Sequence, residues 1–243
     1  MRHRFLVRPD QVRDDAVSFS SEQWHQIDRV LRLHTGDTVR VFNGVDRVDR
    51  VVELTGTAVG CVKGARPQAT EPNRRLVVYP ALLQRDKFEV VLQKLTEIGA
   101  AAIVPVVTAR SLVREMPDEH RLTRWRSIVR EATEQCGRGV VPDICPGLPF
   151  AEAVERAEGT LVMAYERERH GTLKEALSAA GETVSAFVGP EGGYSSDEAD
   201  CARQAGAHLI GLGPRILRTE TASALLAALV LYELGDLSSA VDD

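Results

Sequence analysis

The sequence lacks the features that mark metal-binding, secreted and membrane-spanning proteins. Its four cysteines, at positions 61, 136, 145 and 201, form no CxxC pair and no cluster with zinc spacing, so neither a metal site nor a disulfide framework is indicated. Scattered thiols suit a reducing compartment. The longest apolar run, residues 222–232, is too short to span a bilayer, and the first ten residues lack the apolar core of a signal peptide. These absences predict a cytoplasmic protein that needs no metal.

The common nucleotide-binding motifs are also absent. The chain has no GxxxxGKS or GxxxxGKT segment, and no GxGxxG follows a first strand. The stretch GLGPRI at residues 211–216 supplies only part of the second motif. Its proline removes an N–H group where a pyrophosphate cradle needs a donor. A nucleoside triphosphate or a dinucleotide is therefore disfavoured as the ligand.

Charge is unevenly placed along the 243 residues. Residues 1–150 carry 23 Lys+Arg against 19 Asp+Glu, a net charge of +4, whereas residues 151–243 carry 7 against 16, a net charge of −9. These values sum to the whole-chain charge of −5. A mildly basic front part joined to an acidic rear part would direct a polyanion to one part of the protein. Chance clustering is the alternative that composition leaves open.

The first part of the chain is predicted to be a small β-rich module. Alternating apolar residues on both sides of Asn43-Gly44 indicate a β-hairpin. One helix is predicted over residues 21–33 from its apolar periodicity. Residues 65–75 carry two prolines and no apolar periodicity, so they are predicted to be a linker.

From residue 76 onwards, apolar strand-like runs alternate with amphipathic helices. Five such runs are predicted to be strands, one of them over residues 101–107. Strands that alternate with helices form a mostly parallel sheet covered on both faces. The fold class predicted for this part is therefore α/β.

Two glycine-rich loops follow predicted strands of this second part, where open α/β sheets bind their ligands. The first is GPEGG, residues 189–193, which precedes Ser195; with Glu198 this serine fits a capping box. The second is GLGPRILRTETA, residues 211–222. Glycines let a ligand approach the backbone closely. The alternative is that both clusters are tight turns.

The residue types in these loops favour a particular class of ligand. Glu191 would repel a phosphate, whereas a carboxylate and backbone carbonyl groups would bind a sugar and amino groups. A ligand with an adenine, a ribose and a positive centre therefore fits best. S-adenosylmethionine has this character.

The segment RILRTETA places charged residues between an apolar strand and an apolar helix. Charges so close to buried elements are expected to be paired or functional. In the functional interpretation, an arginine such as Arg215 or Arg218 stabilises negative charge that develops on a substrate. In the structural interpretation, Arg218 forms an ion pair with Glu220, and Thr219 or Thr221 caps the last helix.

The motifs GPEGG and LGPRILRTETA together resemble the signature of the bacterial 16S ribosomal RNA uridine-N3 methyltransferases of the SPOUT superfamily. The resemblance covers nearly the whole chain, through RHRF, HQIDRVLRLHTGD and VFNG near its start and KFEVVLQKLTEIG, TARS and RWRSIVREATEQCGR further on. Two departures are the proline in LGPRILR and Cys136 after EQ. Neither touches the proposed chemistry.

The resemblance implies a PUA-like RNA-binding β-barrel over residues 1–70 and a SPOUT-type α/β methyltransferase domain with a C-terminal trefoil knot over residues 76–243. It implies a homodimer that binds S-adenosylmethionine and acts on 16S rRNA or the small ribosomal subunit. The cofactor-binding positions carried over onto this chain are Gly189, Pro190, Glu191, Gly192, Gly193, Leu212, Gly213, Ile216, Leu217, Arg218, Thr221 and Ala222.

The implied reaction transfers a methyl group to N3 of a uracil. N3 lies on the Watson–Crick edge, so the base must be unpaired or flipped out. Its N3–H proton must be lost, which puts negative charge on the ring and its carbonyl oxygens. We assign the stabilisation of that charge to Arg218. Glu220 is a candidate general base, and a structural partner of Arg218 is its alternative role.

Basic residues are candidates for binding RNA. His25 and Arg32 belong to a basic stripe on the predicted helix, for which a solvated helix surface is the alternative. As a set near one cleft, such residues are credible phosphate contacts, although each alone is an ordinary surface charge. The full set is Arg2, Arg4, His25, Arg32, Lys87, Lys94 and Arg110.

Two other functions stay open at this point. One is a SPOUT methyltransferase that acts on another RNA position, such as a ribose 2′-hydroxyl. The other is a non-catalytic RNA-binding factor of ribosome assembly. The first alternative differs from uridine-N3 methylation in the atom that receives the methyl group. The second alternative predicts that Arg218 is dispensable.

Overall fold

The chain divides into two units, and each has its own six-stranded sheet and apolar core. The computed structural model describes residues 3–238, apart from the side chains of Arg85 and Ser238. The first unit comprises Met1–Glu71 and Arg130–Val141, and the second comprises Pro72–Val129 and Pro142–Asp243.

The first unit is built on a largely antiparallel sheet. Its strands are β1 (Arg4–Leu6), β2 (Val12–Arg13), β3 (Ala16–Ser18), β4 (Thr38–Phe42), β5 (Val48–Gly56) and β6 (Val59–Pro67). They are ordered β1-β4-β5-β6-β3-β2, and β1 and β4 form the parallel pair. Alternate residues such as Val39, Val41 and Val52 are fully buried, because successive side chains of a strand point to opposite faces.

The predicted hairpin is confirmed, since β4 and β5 pair antiparallel on either side of residues 43–47. The Asn43 side-chain oxygen accepts hydrogen bonds from the backbone N–H groups of Val45 and Asp46, both 3.0 Å long. Gly44 has a φ of 74°, a conformation that glycine adopts without steric cost. Asparagine and glycine therefore direct the turn as the sequence indicates.

The predicted helix over residues 21–33 is shorter than expected. Helix α1 (Ser21–His25) continues into a π-helical turn, Gln26–Val30. Arg32 lies beyond the turn with a φ of 54°, outside the helical region. The wider π-helical turn and this reversal break the 3.6-residue period, so the predicted basic stripe does not follow one helical face.

The predicted linker is also shorter than expected. Residues 65–67 belong to β6, and the second unit begins its first strand at Arg75. Glu71, within the remaining stretch, is an anchor of the first unit: its carboxylate pairs with Arg138 at 2.8 Å, and the two side chains are 6% and 5% exposed. Glu71 Oε1 also accepts hydrogen bonds from the N–H groups of Gly139 and Val140.

The second unit is an α/β fold with a wholly parallel main sheet. Its strands are β7 (Arg75–Pro80), β8 (Ala102–Ile103), β9 (Val106–Val107), β10 (Asp143–Ile144), β11 (Leu148–Pro149), β12 (Thr160–Ala164), β13 (Thr183–Val188) and β14 (His208–Ile210). The main sheet is ordered β10-β8-β7-β13-β12-β14, and β11 pairs with β9 separately. Its helices are α2 (Arg85–Ile98), α4 (Phe150–Arg156), α5 (Leu173–Leu177), α6 (Ser196–Gln204) and α7 (Thr219–Glu233). The first part of α3 (Glu119–Cys136), up to Val129, also belongs to this unit.

The parallel sheet confirms the predicted α/β fold class. The apolar pattern of its central strands follows from their burial. β13 lies between β7 and β12, so all but its first residue are buried and it reads as a continuous apolar run. The single strand predicted over residues 101–107 is wrong. Pro105 has no N–H for a ladder, and the run divides there into β8 and β9. The short strands β10 and β11 were not predicted.

Candidate active site

Three neighbouring strands of the main sheet end at the same edge of the second unit. β12 lies between β13 and β14, and all three run parallel. The carboxyl ends of parallel strands share one edge, so the loops that follow them lie side by side. These loops, residues 165–172, 189–195 and 211–218, lead into α5, α6 and α7 respectively.

The three loops line a cavity of about 520 Å³. This volume falls within the range of about 300–1,000 Å³ that small-molecule sites occupy. Gly192 of the first motif and Leu217 of the second both line it, so the two motifs meet in one site. The lining residues are 164–167, 169, 188–194, 212–217, 219 and 222.

The GPEGG loop is a tight turn and a cavity wall at once. Gly193 has a φ of 64°, and its N–H group donates to the carbonyl oxygen of Pro190 at 2.9 Å. A Cβ atom at Gly193 would stand 2.6 Å from Glu166 Oε1, and one at Gly189 would stand 3.0 Å from the ring of Tyr194. The glycines of this loop therefore form a tight turn and also line the cavity, so the ligand-binding and tight-turn interpretations are compatible.

Residues 109 and 110 brace this loop from a distant part of the chain. Glu198 forms the predicted capping box with Ser195, and its other oxygen accepts a 2.8 Å hydrogen bond from the N–H group of Ala109. Arg110 donates from Nη1 to the carbonyl oxygens of Gly192, at 3.0 Å, and Tyr194, at 3.3 Å. Together these bonds fix the backbone of the loop.

Two further side chains of the loop have defined surroundings. The Glu191 carboxylate accepts a 2.9 Å hydrogen bond from Lys87. Partial burial raises the pKa of Glu191, but this bond and a backbone hydrogen bond outweigh burial and hold the pKa below its usual value. The Tyr194 hydroxyl is buried without a hydrogen-bond partner among the described residues. Burial, and then Glu198, raises the pKa of Tyr194 well above its usual value.

The second loop presents Arg218 at the start of α7. Its backbone is extended, with φ −67° and ψ 151°, and its carbonyl oxygen accepts a bond from the N–H group of Ala222. The predicted threonine cap is wrong: Arg218 is the N-cap residue, and no side chain caps the helix. The predicted Arg218–Glu220 ion pair is also wrong, since no such pair within 4.0 Å occurs among residues 3–238. One carboxylate oxygen of Glu220 is buried without a hydrogen-bond partner in that range.

The third loop, residues 165–172, is not one of the loops that the sequence predicts to bind a ligand. Tyr165, Glu166, Arg167 and Arg169 line the cavity, directly after β12. Glu168 organises the loop, because its Oε1 accepts hydrogen bonds from three successive N–H groups, those of residues 169–171. These bonds, from residues 170, 171 and 169 in order of effect, lower the pKa of Glu168. The signal was available, since this loop too follows an apolar strand.

The predicted cofactor positions lie in the cavity wall with two exceptions. Arg218 and Thr221 do not line the cavity, and both side chains are exposed. Thr219 and Ala222 do line it. Residues three apart share a face of a helix, so the first turn of α7 presents these two residues to the cavity and directs Thr221 elsewhere.

The RNA-binding candidates of the first unit differ in accessibility. Arg2 lies outside the described residues. The Arg4 side chain is 9% exposed: its Nε pairs with Asp49 at 3.1 Å, and its guanidinium lies 3.6 Å from the ring centroid of Phe42. These contacts give Arg4 a structural role. His25 and Arg32 are exposed.

The candidates of the second unit are engaged in local contacts. Lys87 pairs with Glu191, and Lys94 pairs with Glu97 one turn along α2 at 2.7 Å. Arg110 uses its Nη1 to hold the GPEGG loop.

Among residues 3–238, no group of three His, Cys, Asp or Glu side chains is placed to hold a metal ion, and none of the helices is long and apolar enough to cross a membrane.

Comparison with known proteins identifies the class to which this fold and site belong. Residues 70–231 match the family model of the RNA methyltransferase domain. The ribosomal RNA small subunit methyltransferase E of Bacillus subtilis is 32% identical in an alignment that covers 96% of this chain and 97% of that protein. Its counterpart in Synechocystis is 32% identical over 235 residues, covering 94% of this chain and 77% of that protein.

Solved structures agree with these relatives. A ribosomal RNA small subunit methyltransferase E from Neisseria gonorrhoeae, bound to S-adenosyl methionine, has a TM-score of 0.87 at 27% identity and covers 96% of this chain and 98% of its own. A putative methyltransferase from Legionella pneumophila, in complex with bound SAM, has a TM-score of 0.83 at 25% identity with the same coverage. The fold is thus that of an RNA methyltransferase. The chain belongs to the family of the ribosomal RNA small subunit methyltransferases E, as the motifs GPEGG and LGPRILRTETA predicted.

Proposed function

We propose that the protein transfers a methyl group from S-adenosylmethionine to N3 of a uridine in 16S rRNA of the small ribosomal subunit. The observation that carries the proposal is that the two motif loops, with Gly192 and Leu217, line a single cavity. The relatives are named for methylation of small-subunit RNA, and two similar structures hold the methyl donor.

The residues of the cavity fit S-adenosylmethionine. Bound there, it supplies a methyl group on a positively charged sulfur. Gly192 and Gly193 place bare backbone in the wall, and a Cβ at either would stand 3.2 Å from Arg110 or 2.6 Å from Glu166. Glu166 and Glu191 place carboxylates in the wall. Such groups accept hydrogen bonds from ribose hydroxyls and amino groups and favour a cationic ligand.

Arg218 and Glu220 are the residues that we propose for the acceptor. Loss of the N3–H proton leaves negative charge on the uracil carbonyl oxygens, and a guanidinium donating to one of them favours that form. Arg218 has an exposed side chain next to the lining residues Leu217 and Thr219. Glu220 is the candidate general base, because it has a carboxylate oxygen without a hydrogen-bond partner in the described chain. The chain otherwise aligns donor and acceptor.

A methylation assay tests the proposed function. Purified protein is incubated with S-adenosylmethionine labelled in its methyl group and with small-subunit RNA that lacks the modification, both naked and assembled into particles. Mass spectrometry of the nucleosides is expected to find N3-methyluridine. A methyl group on a ribose 2′-oxygen would contradict the proposed acceptor, and absence of transfer to either substrate would contradict the enzyme assignment.

Loss of the brace on the GPEGG loop should weaken cofactor binding. Arg110→Ala removes both hydrogen bonds to the carbonyl oxygens of Gly192 and Tyr194, and bonds from a charged donor contribute about 1.5–3 kcal/mol. Because Arg110 is exposed, we expect the lower part of this range, a dissociation constant for S-adenosylmethionine raised about tenfold in calorimetry. Arg114→Ala, which removes a bond to the Ala109 carbonyl oxygen only, is the control and should change the constant less than about twofold.

We also propose the finer features that the family resemblance implies. The first unit would be the PUA-like RNA-binding module, and the second would contain the trefoil knot. In support of the knot, the loop after β12 packs closely on β14 and on the loop that follows it: a Cβ at Gly171 would stand 2.1 Å from the carbonyl oxygen of Leu209, and one at Gly211 would stand 2.9 Å from that of Glu168. We propose a homodimer in the cytoplasm, where the ribosomal substrate lies. Light scattering would contradict the dimer if it gave the mass of one chain.

A further inference from the structure

Three arginines that no motif singled out as RNA contacts stand in the wall of the cavity. Arg167 and Arg169 come from the loop after β12, and Arg215 comes from the loop after β14. The two strands are neighbours in the sheet. All three side chains are exposed. Residues 151–243 contain only 7 Lys+Arg against 16 Asp+Glu, so three of seven cations at one cavity form a local exception to an acidic segment.

None of these three arginines has a carboxylate partner among the described residues. Within residues 3–238, no carboxylate oxygen lies within 4.0 Å of the guanidinium of Arg167, Arg169 or Arg215. By contrast, Lys87 is paired with Glu191, and Arg203 contacts Asp200 and Glu168.

The nearest acid in sequence is already engaged. Glu168, between Arg167 and Arg169, accepts three backbone hydrogen bonds through Oε1, and its other oxygen lies 3.7 Å from Arg203. Glu168 therefore holds the loop in shape through Oε1 and is paired with Arg203 through its other oxygen. The two flanking guanidiniums remain available to an external anion.

The charges of the methyl donor and of the RNA indicate which of the two the three guanidiniums bind. A methyl-sulfonium donor carries a positive charge beside its reacting carbon, so cations in the wall do not attract that centre. An RNA strand carries one negative charge per nucleotide, and arginine binds phosphate oxygens through two parallel N–H groups. Unpaired guanidiniums at the cavity therefore match the backbone on either side of a nucleotide placed there.

We propose that Arg167, Arg169 and Arg215 hold phosphates of the RNA strand that flank the target nucleotide. This inference rests on the proposed function and adds to it the residues that position the substrate at the site. The three arginines replace Lys87, Lys94 and Arg110 as the phosphate-binding residues of the second unit, because those residues are committed to bonds within the protein.

The test compares the full-length triple variant Arg167→Gln, Arg169→Gln, Arg215→Gln and each single variant with the wild-type protein. Binding of a fluorescein-labelled, uridine-containing single-stranded RNA is followed by anisotropy between about 50 and 200 mM salt. Binding of S-adenosylmethionine is followed by calorimetry. Arg156→Gln is the matched control, because Arg156 is an exposed arginine of the same unit that pairs with Glu152 on α4 and does not line the cavity. Thermal melts establish that each variant is folded.

We expect each single variant to bind RNA about three- to tenfold more weakly, and the salt slope to fall by about 0.7 for each phosphate that the variant no longer neutralises. Affinity for S-adenosylmethionine should stay within about twofold of wild type. The inference is overturned if the triple variant binds RNA with the same affinity and slope as Arg156→Gln. It is equally overturned if only cofactor affinity falls, which would assign the arginines to the carboxylate of the donor. Methyl transfer by the wild-type protein tests the proposed function separately, because the binding comparison needs no turnover.

Discussion

Replacing Arg218 with alanine should lower the rate of methyl transfer by about 10²- to 10³-fold, the loss typical of removing one donor that stabilises a developing anion. The guanidinium is expected to bond a uracil carbonyl oxygen only as the N3 proton leaves. The effect should therefore appear in kcat under saturating RNA and cofactor. Affinity for S-adenosylmethionine should stay within about threefold of wild type, because the Arg218 side chain does not line the cavity.

Two variants sharpen this experiment. Arg218→Lys keeps the charge but not the planar fork, so it should recover only part of the lost rate. Arg156→Ala removes an exposed arginine of α4 that pairs with Glu152 and does not line the cavity, and it should leave kcat unchanged. Retention of wild-type turnover by Arg218→Ala would remove the arginine from the mechanism.

Replacing Glu71 with glutamine should destabilise the first unit by about 3–5 kcal/mol, because it removes the carboxylate charge from a buried ion pair with Arg138. Both side chains are at least 94% buried, with exposures of 6% and 5%. The pair also fixes the N–H groups of Gly139 and Val140. The ion pair therefore holds residues 138–140, which follow α3, against Glu71, the last residue of the first segment of this unit.

The two tryptophans of the chain make this loss measurable unit by unit. Trp24 packs against the core of the first unit, whereas Trp125 is buried against Phe88 in the second. In a Trp125→Phe background, fluorescence follows the first unit alone during denaturation. Glu71→Gln should shift the Trp24 transition to lower denaturant. Asp10→Asn, which breaks an exposed pair with Arg8, should change the free energy of unfolding by less than about 1 kcal/mol. Equal transitions for the two variants would show that the buried pair is not an anchor.

Local signals predicted the elements of the site well. The run TVSAFV forms β13 because it is apolar throughout, and the glycines after it turn the chain because Gly193 needs a positive φ. Ser195 and Glu198 cap α6 in the way their spacing indicates. The failures were also local in origin. The structural interpretation of RTET, in which Thr219 or Thr221 caps α7, fails because residue type alone does not specify which residue begins the helix.

The sequence by itself determined the glycine turns and the strands before them, because these depend on residues a few positions apart. Only the tertiary structure decided which loops share the cavity, since the order β13-β12-β14 brings residues 164–169 between the two motifs. It also decided the braces, which join residues 104 apart between Lys87 and Glu191 and 89 apart between Ala109 and Glu198. Such contacts follow from how strands are ordered in a sheet, and that order is not written in the periodicity of any one segment.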